Sequence, residues 1–205
     1  IAYRNSGGSV VLVSNSPRPR DGVIRQLQEV GVDAAAYDGV VTSGDVSRGL
    51  IAAAAPGPVL HIGPERDLPL FDGLGVERAT AGAAQVIVAS GLFDDERETP
   101  ADYAPLLAEL AARRVPMICA NPDKLVERGG KMIYCAGALA EAYAQLGGSV
   151  AYAGKPFPPI YVTARALAGD IRKAEVATDR ILAIGDGVAT DIAGASLAGI
   201  RSVFI

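Results

Sequence analysis

The pattern that most constrains the fold is a short apolar run ending in small or polar residues, repeated between stretches rich in Ala, Leu, Glu and Arg. "VVLVSNS" (10–16), "VLHIG" (59–63), "AQVIVAS" (84–90), "PMICA" (116–120) and "RILAIG" (180–185) share it. Apolar residues in unbroken succession mark strands buried on both faces, and such strands belong to parallel sheets flanked by helices. The expected fold class is therefore α/β with a parallel sheet.

The stretches between these runs read as helices. Asp21 opens one whose Val23, Ile24, Leu27 and Val30 share a face, and Gly31 ends it. "AAAYDGVVTSGD" (34–45) holds a further short strand, with Ser43 as the cap of a helix running to about Ala55. "PGP" (56–58) breaks the chain. Thr99 caps and Pro100 starts a helix with Tyr103, Leu106, Leu107 and Leu110 inward and Arg113 and Arg114 in its last turn. "SVAYAG" (149–154), helical stretches over about 158–167 and 189–198, and the strand "RSVFI" (201–205) complete the chain. The expected organisation is one α/β unit made of residues 1–56 and 151–205, interrupted by an inserted α/β unit at 57–150.

With 205 residues, 50% of them hydrophobic, the chain can bury one large core or two small ones. A net charge of -4 and the lack of a basic cluster with interleaved aromatics speak against a nucleic-acid partner. Gly, Pro or charge interrupts every apolar stretch well before about 18 residues, so no membrane span is expected. Cys119 and Cys135 lack metal-ligand spacing and read as buried free thiols in a reducing compartment, which points to the cytoplasm. His61 is the only histidine, so a Ser-His-Asp triad would depend on it entirely; a structural imidazole is the simpler reading.

In open parallel sheets, ligands sit where strand C-termini meet helix N-termini. Ser14 and Asn15, with Ser16, follow the first strand and either hold a phosphate oxygen or form an ordinary turn. Lys155, fixed between Gly154 and Pro156, either neutralises an anion at a strand end or is a solvated loop residue. Asp186 and Asp191 are harder to dismiss. The first leaves a strand between two glycines in "ILAIGDGVATD" (181–191), and the second falls in the first turn of the following helix. Converging carboxylates make a hard-oxygen site of the kind Mg²⁺ uses.

Taken together, "VSNS" (13–16), "GKP" (154–156) and "GDGVATD" (185–191) resemble motifs II, III and IV of the haloacid dehalogenase (HAD) superfamily. "VTSGD" (41–45), "ANPD" (120–123) and "CAGALAEA" (135–142) are similar to its subclass IIA, which includes NagD-like phosphatases. The resemblance spans essentially the whole chain in the expected order. It implies a Rossmann-like core with a parallel sheet, an inserted α/β cap domain, and phosphoester hydrolysis through an aspartyl-phosphate with Mg²⁺. By the same resemblance Ser14, with Asn15 beside it, contacts the transferring phosphoryl group, and Lys155 offsets its charge. Asp186 is the direct metal ligand and Asp191 the second carboxylate. Asn121 and Asp123 lie near the cap–core interface, although Asn-Pro-Asp also makes a turn by itself. The partner is a small phosphorylated metabolite, and a homo-oligomer is compatible with the resemblance.

One motif departs from the family. Motif I, Asp-x-Asp, supplies the nucleophile, yet none of the thirteen residues before Ser14 is an aspartate. The chain starts at Ile1 without methionine and stops at Ile205 inside a strand-like run, so both ends read as cut. The expectation is a fragment of a longer phosphatase, inactive by itself. The alternative is a non-catalytic phosphate-binding or regulatory module. A dinucleotide-binding domain is weaker still, because no G-x-G-x-x-G opens a helix after a strand.

Overall fold

A computed structural model of the protein describes residues 1–54 and 57–205. The expected break at Pro56, the helix end at Ala55 and the first unit's limit lie outside the described residues. A short helix, α1 (Ala2–Asn5), is tied down by Arg4, whose guanidinium bonds the Asp38 carboxylate at 2.8 Å. β1 (Val11–Ser14), α2 (Arg20–Glu29), β2 (Gly39–Thr42) and α3 (Ser43–Ala54) follow. β1 and β2 pair in parallel, with Ser14 opposite Thr42.

The chain continues through β3 (Val59–Ile62), β4 (Val86–Ala89), α4 (Ala104–Ala112) and β5 (Met117–Cys119). A hairpin of β6 (Leu125–Arg128) and β7 (Lys131–Tyr134) leads to α5 (Ala136–Gln145) and β8 (Val150–Tyr152). β3, β4, β5 and β8 form one parallel sheet in that order. It continues to Tyr152, just past residue 150, where the inserted unit was expected to end. The last elements are α6 (Pro158–Arg172), β9 (Leu182–Gly185), α7 (Ala193–Leu197) and β10 (Arg201–Phe204), with β9 and β10 parallel.

The four-stranded sheet explains the unbroken apolar runs. On one face Ile87 and Met117 meet Leu107 and Leu110 of α4 and Leu139 and Tyr143 of α5. On the other, Val59, Val88 and Ile118 meet Ile51 of α3 and Leu70 of the 3₁₀ turn Glu65–Phe71. All four residues of β4 are buried. At about 1.5–3 kcal/mol for each large apolar side chain, this double-sided burial is the main stabilising contribution. Cys119 and Cys135 are free and buried, and burial pushes their thiols up to about 12 and about 11. Among the described residues no helix is long and apolar enough to cross a membrane.

Local expectations shift at several ends. Thr99 and Asp102 form the capping box before Pro100, but Arg113 and Arg114 lie just past α4 rather than in its last turn. Val30 is 70% exposed and lies outside α2. α6 runs five residues beyond Leu167, carrying Gly169 in its interior. Thr42, not Ser43, caps α3: its hydroxyl accepts the Asp45 N–H at 2.9 Å while the Asp45 carboxylate accepts the Thr42 N–H at 3.1 Å.

His61 is structural. Its Nε2 lies 2.9 Å from Ser90 Oγ, and its ring meets Phe71 edge-on at 5.2 Å. Burial, helped by the charge of Arg78, lowers its pKa from 6.5 to about 4. A histidine held neutral in the fold favours the native state above its unfolded pKa, and this contribution is lost as pH falls from about 6.5 through about 4. Because the chain has one histidine, a proton NMR titration reads it directly. The imidazole signal is expected to stay flat from pH 8 to about 5.5; a midpoint between 6 and 7 would contradict this environment.

Candidate active site

Three loops after three strands converge on one place. Asn15, the residue after β1, is buried and uses its whole carboxamide. Its Oδ1 accepts the Lys155 N–H at 2.7 Å, and its Nδ2 donates to the Lys155 carbonyl at 3.1 Å and to Asp123 Oδ1 at 2.9 Å. The partners settle the amide orientation, since a carboxylate and a carbonyl can only accept. Asn15 thus clamps the backbone of Lys155 and joins it to the Asn-Pro-Asp turn of the other unit. That turn is itself closed by the Asp123 N–H donating to Asn121 Oδ1 at 3.1 Å.

The clamp aims Lys155. Its ammonium lies 2.7 Å from Asp191 Oδ1, with both side chains mostly shielded, at 15% and 17% exposure. The other oxygen of Asp191 accepts the Gly187 N–H at 3.1 Å. Asp191 sits in the wide turn Val188–Ile192 that opens into α7, and Tyr161 of α6 supports this turn by donating to the carbonyls of Thr190 and Asp191, each at 3.3 Å. Both Asp191 oxygens are therefore engaged. Asp186, by contrast, is exposed and makes no side-chain hydrogen bond or ion pair among the described residues. Ser14 is half-buried, its hydroxyl accepting the Ser16 N–H at 3.1 Å.

All the strand-end candidates but Asp186 thus fall into one network. Ser14 and Asn15 are consecutive, Asn15 holds Lys155 and Asp123, and Lys155 reaches Asp191. The hydroxyl of Ser43 is buried without a partner in the same region, 2.8 Å from where a Cβ on Gly154 would stand. Among the described residues no group of three His, Cys, Asp or Glu side chains could enclose a metal. Two carboxylates still suit Mg²⁺, which is commonly held by one or two of them with waters and phosphate oxygens. The sequence did not reveal that the Asn15 side chain ties the two units together, nor the support from Tyr161. The Thr42–Asp45 capping box was detectable from its T-x-x-D spacing.

Comparison with known proteins now becomes informative. A structure described as a hydrolase of the haloacid dehalogenase-like family from Brucella suis 1330 is 51% identical over the whole chain, with a TM-score of 0.95, and this chain covers 78% of it. The chain belongs to the haloacid dehalogenase-like family. The family model for HAD-hydrolase-like proteins matches residues 152–205. The p-nitrophenyl phosphatase from Archaeoglobus fulgidus (21% identity over 98% of this chain and 75% of its own, TM-score 0.74) shares the fold. So does NagD from E. coli K-12 (20% identity over 100% of this chain and 76% of its own, TM-score 0.70). No curated protein matches the sequence. In this haloacid dehalogenase-like chain, Asn15, Lys155 and Asp191, far apart in sequence, meet in one network.

Asn15→Asp tests that network. The substitution keeps shape and the acceptor for Lys155 N–H, but it removes both donors and sets two carboxylates face to face. A loss of about 2 kcal/mol in urea unfolding is expected, partly recovered when Asp123→Asn is added. Equal stability of Asn15→Asp and the unaltered chain would show that the clamp holds nothing.

Proposed function

We propose that this chain is part of a Mg²⁺-dependent phosphomonoesterase acting on a small phosphorylated metabolite, with the nucleophilic aspartate supplied from outside the 205 residues. The observation that carries this reading is the meeting of Asn15, Lys155 and Asp191 at the ends of parallel strands, with Ser14 next to Asn15 and Asp186 next to Gly185, which packs against Asp191. Ser14 offers a hydroxyl to a phosphoryl oxygen. Lys155, held by its backbone, presents a cation that offsets the charge gathering on the transferring group. Asp186 has free oxygens and would hold the metal directly, whereas Asp191, occupied by Lys155 and Gly187, would act from behind it. When bound, Mg²⁺ supplies charge neutralisation at the phosphate. Asp123 and Asn121 bring the inserted unit against the site, a position from which it excludes water and contacts the leaving group.

The strand pairing supports the placement of the nucleophile. Among the described residues β1 pairs with β2 alone and β9 with β10 alone, while the loops after β1 and β9 meet through Lys155. Leu182 and Ile184 of β9 are 55% and 63% exposed, unusual for residues of a parallel strand. A strand between β1 and β9, ending in Asp-x-Asp, would pair with the free edges of both and bring a carboxylate to the network. The Brucella relative is longer, this chain covering 78% of it.

Two preparations test the reading. The 205-residue chain is expected to hydrolyse no p-nitrophenyl phosphate. Extended by the codons upstream of Ile1, if these encode a strand ending in Asp-x-Asp, it should gain turnover that EDTA abolishes. Lys155→Met should lower that turnover by about 10²-fold or more. An extended chain that binds phosphate without turning it over would instead favour the regulatory module.

A further inference from the structure

A cleft of about 630 Å³ runs between α2 and the 3₁₀ turn Glu65–Phe71, and the loop that follows Ser14 forms one of its walls. Five arginines line it: Arg18, Arg20, Arg25, Arg48 and Arg66. Three are occupied. Arg20 pairs with Asp45 at 3.2 Å, Arg66 pairs with Asp95, and Arg48 donates to the carbonyls of Pro69, Leu70 and Asp72. The guanidinium groups of Arg18 and Arg25 make no hydrogen bond or ion pair among the described residues.

These two side chains converge over Gly22. A Cβ at Gly22 would stand 3.5 Å from Arg18 Cβ, 3.8 Å from Arg18 Cδ and 4.0 Å from Arg25 Nη2. Arg18 Cδ and Arg25 Nη2 therefore lie within about 8 Å of one another. Among the described residues no acidic residue of the walls forms an ion pair with either of them. Asp45 belongs to Arg20. Asp67 is buried; burial raises its pKa, Ser90, Arg66 and Arg18 pull it partly back down, and it forms no ion pair with Arg18 or Arg25. Asp21, Glu29 and Asp72 form no ion pair with either arginine. Two like charges in one cleft repel, and an anion between them converts that repulsion into attraction. The planar guanidinium fork matches the oxygens of phosphate and carboxylate.

We propose that Arg18 and Arg25 bind a second anionic group, a phosphate or carboxylate, in this cleft. Arg18 stands four residues after Ser14, so the two backbones are at most about 14 Å apart. If one ligand reaches both, it does so along the Ser14–Arg18 segment. Insofar as the phosphatase reading holds, the substrate is then a phosphomonoester whose leaving group carries its own phosphate or carboxylate.

Calorimetric titration of the chain with inorganic phosphate is the test. Two sites are expected, one lost in Arg25→Gln or Arg18→Gln and the other in Lys155→Gln, with Arg25→Lys retaining weakened binding and unchanged melting. A linear alkane bisphosphate separates the sources of the anion. Binding at one per chain, at least about tenfold tighter than phosphate and weakened by either variant, assigns the second group to the substrate. No gain over phosphate, with two independent sites, assigns it to a separate anion. A single phosphate site indifferent to both arginine variants, or no phosphate binding at all, overturns the proposal. If Lys155→Gln changes nothing while Arg25→Gln removes binding, the strand-end site fails and this one stands.

Discussion

The carboxamide of Asn15 is the contact on which the rest of the site depends. It is the one side chain that holds β1's end, the Lys155 loop and the Asp123 turn at once. Its room is made by what its neighbour lacks. A Cβ on Gly154 would stand 2.4 Å from Asn15 Oδ1, 2.7 Å from Pro122 Cδ and 2.8 Å from Ser43 Oγ, so three chain segments approach as closely as backbone allows. A second glycine does the same for the turn: a Cβ on Gly137, at the start of α5, would lie 2.1 Å from the Pro122 carbonyl oxygen. The lysine direction is therefore set by main-chain hydrogen bonds rather than by its flexible stem. Fixing it in this way lowers the entropy that a charged side chain loses when it meets a ligand.

The strands were legible because burial on both faces leaves a one-dimensional trace, and β3, β4 and β5 fall inside their apolar runs. The hairpin of β6 and β7 was missed although Gly129 and Gly130, with φ of 58° and 78°, give the two-residue turn its positive dihedrals. Its outward-facing residues Leu125, Met132 and Tyr134 alternate poorly with polar ones, so no half-buried strand pattern announced it. The end of α6 was misplaced at about Leu167, whereas the helix continues through Gly169 and ends only at Lys173 in the left-handed conformation. Site residues were legible as types at strand ends. Their coupling was not, because Asn15 and Lys155 are 140 positions apart and only the fold brings an amide to a backbone.

On the phosphatase reading, the charge arrangement suits Asp186 and Asp191 to different tasks. A carboxylate already bonded to an ammonium and a backbone N–H is a weaker ligand for a further cation, because each donor withdraws charge from its oxygens. Asp191 is in that state and Asp186 is not. The same lysine that would draw in a phosphate thus holds one aspartate in place and leaves the other available.

On the proposed function, stability and catalysis then share one requirement. Two-stranded parallel sheets are marginal by themselves, since neither edge nor face is fully covered. Among the described residues the free edges of β1 and β9 would gain from one and the same strand. A chain that needs this strand to join its two-stranded sheets would receive its nucleophile with it, so a phosphatase assembled this way cannot complete its fold without also completing its site.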